Sequence, residues 1–95
     1  MVNYYNYKIW SCTPKKNYYY TKKVRLDLLD KEDSIIATAT LNISDNKLTD
    51  TQIVVKNHGD NLGMIDFLQK NKIVGPTLRT INVGLHKAHV VELLV

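Results

Sequence analysis

From Tyr18 onward the positions Tyr18, Tyr20, Val24, Leu26 and Leu28 are apolar or aromatic, and Tyr19, Thr21, Lys23, Arg25 and Asp27 alternate with them as polar or amphipathic residues. A period of two is that of a half-buried strand. The stretch "IIATATLNI" repeats it, with Ile35, Ala37, Ala39, Leu41 and Ile43 on one face and Thr38, Thr40 and Asn42 on the other. Between the two lies the turn-like "DKEDS", so the pair predicts a β-hairpin through a polar loop of about four or five residues. Near the start, "NYYNYKIW" predicts a short first strand whose buried face the pattern leaves open.

After the turn-forming "SDNKLTD", the β-branched run "TQIVVKN" predicts a further strand. The pattern then changes period. In "HGDNLGMIDFLQKNK", Leu62, Met64, Ile65, Phe67 and Leu68 form a broad apolar helical face, which predicts a helix over 61–72. Asp60 or Asn61 is the expected N-cap, and Lys70 and Lys72 fall near the end where the helix dipole favours cations. Gly75 and Pro76 block any continuation. In the closing "TINVGLHKAHVVELLV", Ile81, Val83 and Leu85 share one parity with Val91, Leu93 and Val95, but Lys87 and His89 interrupt it. Either a bulge between Gly84 and Ala88 shifts the phase and turns Ala88 or Val90 inward, or two shorter strands meet at "LHKA". Together these elements predict an α+β fold, a mainly antiparallel sheet of about four to five strands with one helix on one face.

The chain's 95 residues suit a single domain over 1–95, and 44% hydrophobic with 23% charged residues is ordinary for a folded globule. Thirteen Lys and Arg against nine Asp and Glu leave +4, which permits an anionic partner without demanding one. Cys12 is the one cysteine, which excludes an intramolecular disulfide and favours a reducing cytoplasm. Neither a signal-peptide pattern nor an apolar run long enough for a membrane span is visible in the sequence.

The most basic stretch, "KKNYYYTKK", sets three tyrosines between lysine pairs, the residue types that grip single-stranded nucleic acid. Strand alternation weighs against a platform of three rings. It places Tyr18 and Tyr20 in the core with Val24 and Leu26 and leaves Tyr19 beside Lys23 and Arg25. His86 and His89, three apart on a strand, point to opposite faces, and Cys12 is remote from His58, so spacing implies no metal site. His58, Arg79, His86, Lys87 and His89 are the residue types of a small ribonuclease, but nothing in their spacing makes them converge. Asp45, Asp50, Asp60 and Asp66 are explained by loops and capping. No phosphate-binding glycine pattern occurs, and no cofactor is implied.

Over residues 37–93 the run "VVKNHGDN", "LGMIDFLQKNKIV" and "TLRTINVGLHKAHVVEL", with Gly63, Leu68, Thr77 and Gly84 as landmarks, resembles a family of short proteins encoded by plasmids, integrative elements and phages of Gram-positive bacteria. No activity is established for that family, and the tyrosine-rich N-terminal third lies outside the resemblance. What the resemblance implies is a small accessory protein of a mobile element in a bacterial cytoplasm. Such genes often encode anti-restriction or anti-CRISPR inhibitors, so a host defence nuclease, including one of the Cas9 type, is the expected partner. The expected activity is non-enzymatic occlusion of a surface, with Tyr4, Tyr5, Trp10, Tyr19, Lys23 and Arg25 as anchors, since Tyr, Trp and Arg dominate protein interfaces. The alternative is single-stranded nucleic-acid binding through Lys15, Lys16, Tyr19, Lys22, Lys23 and Arg25. A sheet edge offers a further contact by strand addition, including pairing with a second copy of the chain.

Overall fold

The structure is a computed structural model and describes residues 3–43 and 47–95. Residues 44–46 of the expected loop "SDNKLTD", Asp45 among them, lie outside the described residues. The described chain forms two antiparallel sheets and one α-helix, the α+β class that the patterns predict. The first sheet is a meander of β1 (Tyr5–Tyr7), β2 (Trp10–Tyr18), β3 (Val24–Leu29) and β4 (Ile35–Thr38). In the second, β7 (His86–Glu92) runs between β5 (Gln52–Val55) and β6 (Arg79–Val83). The chain just beyond β4 joins the sheets: Lys56 N–H donates to the Ala39 carbonyl at 2.8 Å and Leu41 N–H to the Val54 carbonyl at 2.9 Å.

The hairpin through "DKEDS" forms as expected. The Asp30 carboxylate accepts the N–H groups of Glu32 and Ser34, at 2.8 and 3.0 Å, an aspartate closing its own turn. A register shift at Leu28 and Leu29 sets Leu29 opposite Ile35. Ile35 is therefore exposed, and Ile36 packs against the core in its place. A bulge adds one residue to one strand, which reverses the faces beyond it.

Tyr18 and Tyr20 correct the sequence reading. No strand runs through "YYYTKK": β2 ends at Tyr18, and Tyr19–Lys23 is a reversal closed by Tyr19 N–H to the Lys23 carbonyl at 2.8 Å, with Lys22 at φ 69°. Tyr18 pairs with Val24 at the open end of the sheet, where it is 61% exposed, and Tyr20 is fully exposed at the tip. The alternation is real on either side of the turn, and the error is to carry it across.

The helix α1 is Met64–Lys70, shorter than the apolar pattern. Gly59–Asn61 is a separate 3-10 turn, and Gly63 at φ 89° starts the helix in a left-handed conformation suited to glycine. Neither Asp60 nor Asn61 is its cap. The Asn57 side chain accepts Ile65 N–H at 2.9 Å, while Asn61 Nδ2 donates to the Thr38 carbonyl at 2.8 Å. Leu62 precedes the helix and is exposed, whereas Met64, Ile65, Phe67 and Leu68 are buried as the spacing requires.

Of the two readings of the C-terminal stretch, the pair of shorter strands holds, but they meet at Gly84–Leu85, and His86, Lys87 and Ala88 of "LHKA" already belong to β7. Gly84, at φ 60°, and Leu85 turn the chain between Val83 and His86, so β6 and β7 form a hairpin and Leu85 is exposed at its tip. Ala88 and Val90 both turn inward. Val90 and Val91 are fully buried despite opposite parity because the second sheet is covered on both faces. One face meets the main core of Leu26, Leu28, Ile53, Val55, Met64 and Leu68; on the other, Leu41, Ile43 and Leu48 close over Val54, Ala88 and Val90.

Candidate functional site

Residues paired across an antiparallel ladder share a face. The registers therefore put Pro14, Lys16 and Tyr18 with Leu26 and Leu28 toward the core side, and Thr13, Lys15 and Asn17 with Arg25, Asp27 and Leu29 on the outer side. This division separates the basic strip. Lys15, Arg25 and Tyr19 belong to the outer face, whereas Lys16 and Tyr18 flank a cleft on the other with Lys22 and Lys23.

The outer face carries a buried ionic knot. Asp27 is fully buried, and its carboxylate accepts Asn17 Nδ2 at 2.6 Å, Thr38 Oγ1 at 2.7 Å and Arg25 Nε at 3.0 Å. Arg25 is half-exposed, and its guanidinium lies 6.0 Å from the centre of the Tyr19 ring. The Tyr19 hydroxyl is held by Thr40, 2.9 Å from Oγ1 and 3.1 Å from the carbonyl. A ring below and a carboxylate beside fix Arg25 in place. Asp27, read from the sequence as one of the polar residues alternating with the apolar ones, is the organising group of this face.

At one end of the first sheet the β1–β2 turn lies beside the β3–β4 turn. A recess of about 330 Å³ there is bounded by Ile9, Trp10 and Ser11 on one side and Asp30, Lys31 and Glu32 on the other. A second, of about 420 Å³, lies on the outer face between Tyr4, Thr13, Leu29 and Ile35. Lys31 connects them, with its ammonium 5.7 Å from the Tyr4 ring centre. Tyr4 and Trp10 are 41% and 39% exposed, and Ile9 is almost wholly so. Tyr5 is different: it pairs with Cys12 and packs on the core, so it is not a free anchor. Of the six expected anchors, then, Tyr4 and Trp10 gather at this end, Tyr19 and Arg25 form the outer-face stack, and Lys23 joins the cleft on the opposite side.

That cleft, of about 370 Å³, separates the end of the β2–β3 hairpin from Thr49–Gln52 and Leu93. Lys16, Lys22 and Lys23 line it opposite Asp50, and among the described residues their ammonium groups have no hydrogen-bond or ion-pair partner.

The histidines are placed by tertiary structure alone. His58, which follows β5, stacks face to face on His86 at the start of β7, with ring centres 4.2 Å apart and planes within 4°. The Nδ1 of His58 is enclosed without a partner among the described residues. Desolvation, followed by the positive charge of His86 and Lys56, holds His58 below the ordinary histidine value. His89 instead meets Thr77 Oγ1 through Nδ1 at 3.0 Å. Among the described residues no group of three or more His, Cys, Asp or Glu side chains is arranged to hold a metal ion. No described helix is long and apolar enough to cross a membrane. Comparison of the chain with protein-family models, with curated proteins and with solved structures finds no match to any of them.

Proposed function

We propose that the protein is a non-enzymatic binding protein of a mobile element, active in the bacterial cytoplasm, which inhibits a host protein by covering one of its surfaces. The carrying observation is the end of the first sheet, where exposed Tyr4, Ile9, Trp10 and Ile35 are ringed by Asp30, Lys31, Glu32 and Asp33. An apolar and aromatic centre with a charged rim is the anatomy of a protein interface. The fixed Arg25 on the adjoining face extends the surface with a positioned donor. The target class, a defence nuclease of the restriction or Cas9 type, rests on the family resemblance. Occlusion then needs shape and anchors, with no chemistry supplied by this chain.

The test is a pull-down with tagged protein from nuclease-treated lysate of a Gram-positive host, followed by a cleavage assay with the captured enzyme. One stoichiometric protein partner is expected, with its activity suppressed. Trp10→Ala should weaken capture by about tenfold or more, the loss typical of an aromatic anchor. Recovery of no protein after nuclease treatment, or capture indifferent to Trp10→Ala and Tyr4→Ala together, would sink this reading.

A further inference from the structure

We infer that the cleft at the end of the β2–β3 hairpin is a binding site for single-stranded nucleic acid, separate from the protein-binding end of the first sheet. Three observations converge there. Lys16, Lys22 and Lys23 surround one recess, and among the described residues none is engaged by an acidic group. Three lysines against Asp50 leave the lining positive. Tyr18, at the lip, is 61% exposed, and Tyr20, at the tip of the same hairpin, is wholly so.

These residue types select the ligand. An ammonium on a flexible stem holds phosphate as a point charge, whereas fixed bidentate binding of carboxylates falls to arginine. Exposed rings beside such cations offer stacking faces to bases, and only a strand whose bases are unpaired can use them. An acidic protein segment would satisfy the lysines but leave Tyr18 and Tyr20 without a role. The backbone makes the placement stable: Lys22 in its left-handed conformation reverses the chain, so Lys22 and Lys23 return beside Lys16 and Tyr18. Thr49, Thr51 and Gln52 form the far wall. Thr51 Oγ1 donates to the Glu92 carboxylate at 2.6 Å, and Gln52 Nε2 donates to it at 3.1 Å, which fixes that wall in position.

The experiment is fluorescence anisotropy on the purified full chain alone, with labelled oligothymidine and oligouridine of about 12 nucleotides, a length within reach of one small domain. Log affinity should fall with log salt at a slope of about −2, which corresponds to three phosphate contacts at roughly 0.7 each on a single strand. Removing one lysine by Lys22→Ala should reduce that slope by about 0.7. Tyr18→Ala should weaken binding by about fivefold or more and Tyr18→Phe should not, because stacking needs the ring and not the hydroxyl. Lys31→Ala, at the other end of the sheet, should leave binding unchanged. A duplex of equal length should bind more weakly than either single strand. If Lys16, Lys22 and Lys23 can all be replaced by alanine without effect, the site is refuted. Polyglutamate binding as tightly as the oligonucleotides, or a duplex binding equally well, overturns the inference in favour of an acidic or a merely electrostatic partner. Because no host protein is present, the result is independent of the pull-down and of Trp10.

Discussion

Asp27 shows how one residue can organise a face. Its carboxylate is fully buried and receives three donors, of which Arg25 is the charged one. Removing it strands the Asn17 amide and the Thr38 hydroxyl and releases the guanidinium. Asp27→Ala should therefore cost about 3 kcal/mol, between the loss of ordinary hydrogen bonds and that of a fully buried ion pair. Asp27→Asn keeps the shape and should cost less. Urea unfolding of the two variants distinguishes these values, and a change below about 0.5 kcal/mol in Asp27→Ala would mean that water replaces the carboxylate freely. The sequence offered a hint at this scale: Asp27 stands between Leu26 and Leu28, in the middle of the most apolar strand. Alternation assigned it to the outer face, correctly, but a pattern cannot tell that neighbouring strands supply enough donors to bury that face.

Among the elements, the short helix depends on groups from outside it. Asn57 caps Ile65 N–H from six residues before Gly63, so Asn57→Ala should lose about 1 kcal/mol. In a domain of this size that corresponds to a fall in melting temperature of about 4–8 °C, readable by circular dichroism. An unchanged melting temperature would show that solvent replaces the cap. The stacked histidines make the join between β5 and β7 sensitive to acid. His58 is held below its ordinary value of 6.5, so the unfolded chain binds its proton more readily than the fold does. Stability from this group is complete above 6.5 and falls as pH drops below it. His58→Gln should flatten the pH dependence of the melting temperature between neutrality and pH 5, while an unaltered profile would assign the acid sensitivity elsewhere. His86 faces His58 only because β5 and β7 are neighbours. Twenty-seven residues separate the two in the chain (86 − 58 − 1), and no spacing rule connects them.

For the molecule as a whole, the core is where two sheets and a helix meet, and Cys12 reports on it. The thiol is fully buried, and desolvation raises its pKa above the ordinary 9.0. Both effects keep it protonated and out of reach, so an intermolecular disulfide requires the sheet to open. A thiol reagent such as Ellman's should therefore react slowly with the native protein, at a rate that follows the population of open molecules, and at once in denaturant. Prompt reaction of native protein would mean that β1 leaves β2 without global unfolding. The same assembly separates two surfaces of different chemistry: exposed aromatic side chains with a mixed charged rim at the turns of β1–β2 and β3–β4, and, at the turn of β2–β3, exposed rings beside lysines that have no partner among the described residues.

Local periodicity and turn chemistry were legible in the order of residues. It placed the β3–β4 hairpin on alternation and on Asp30, the strand Gln52–Val55 on its β-branched run, and the buried helical residues Met64, Ile65, Phe67 and Leu68 on their spacing. These features depend on residues close together in the chain, so their physical causes lie within a short window. Where the tyrosines of "KKNYYYTKK" point depends on the folded chain, because a reversal at Tyr19–Lys23 ends one strand and begins the next with no break in composition. The same holds for the burial of Asp27 on the outer face, the meeting of His58 with His86, and the cleft shared by Lys16, Lys22 and Lys23. Each of these depends on which strands lie side by side, and that is settled by the burial of the whole core rather than by any one segment.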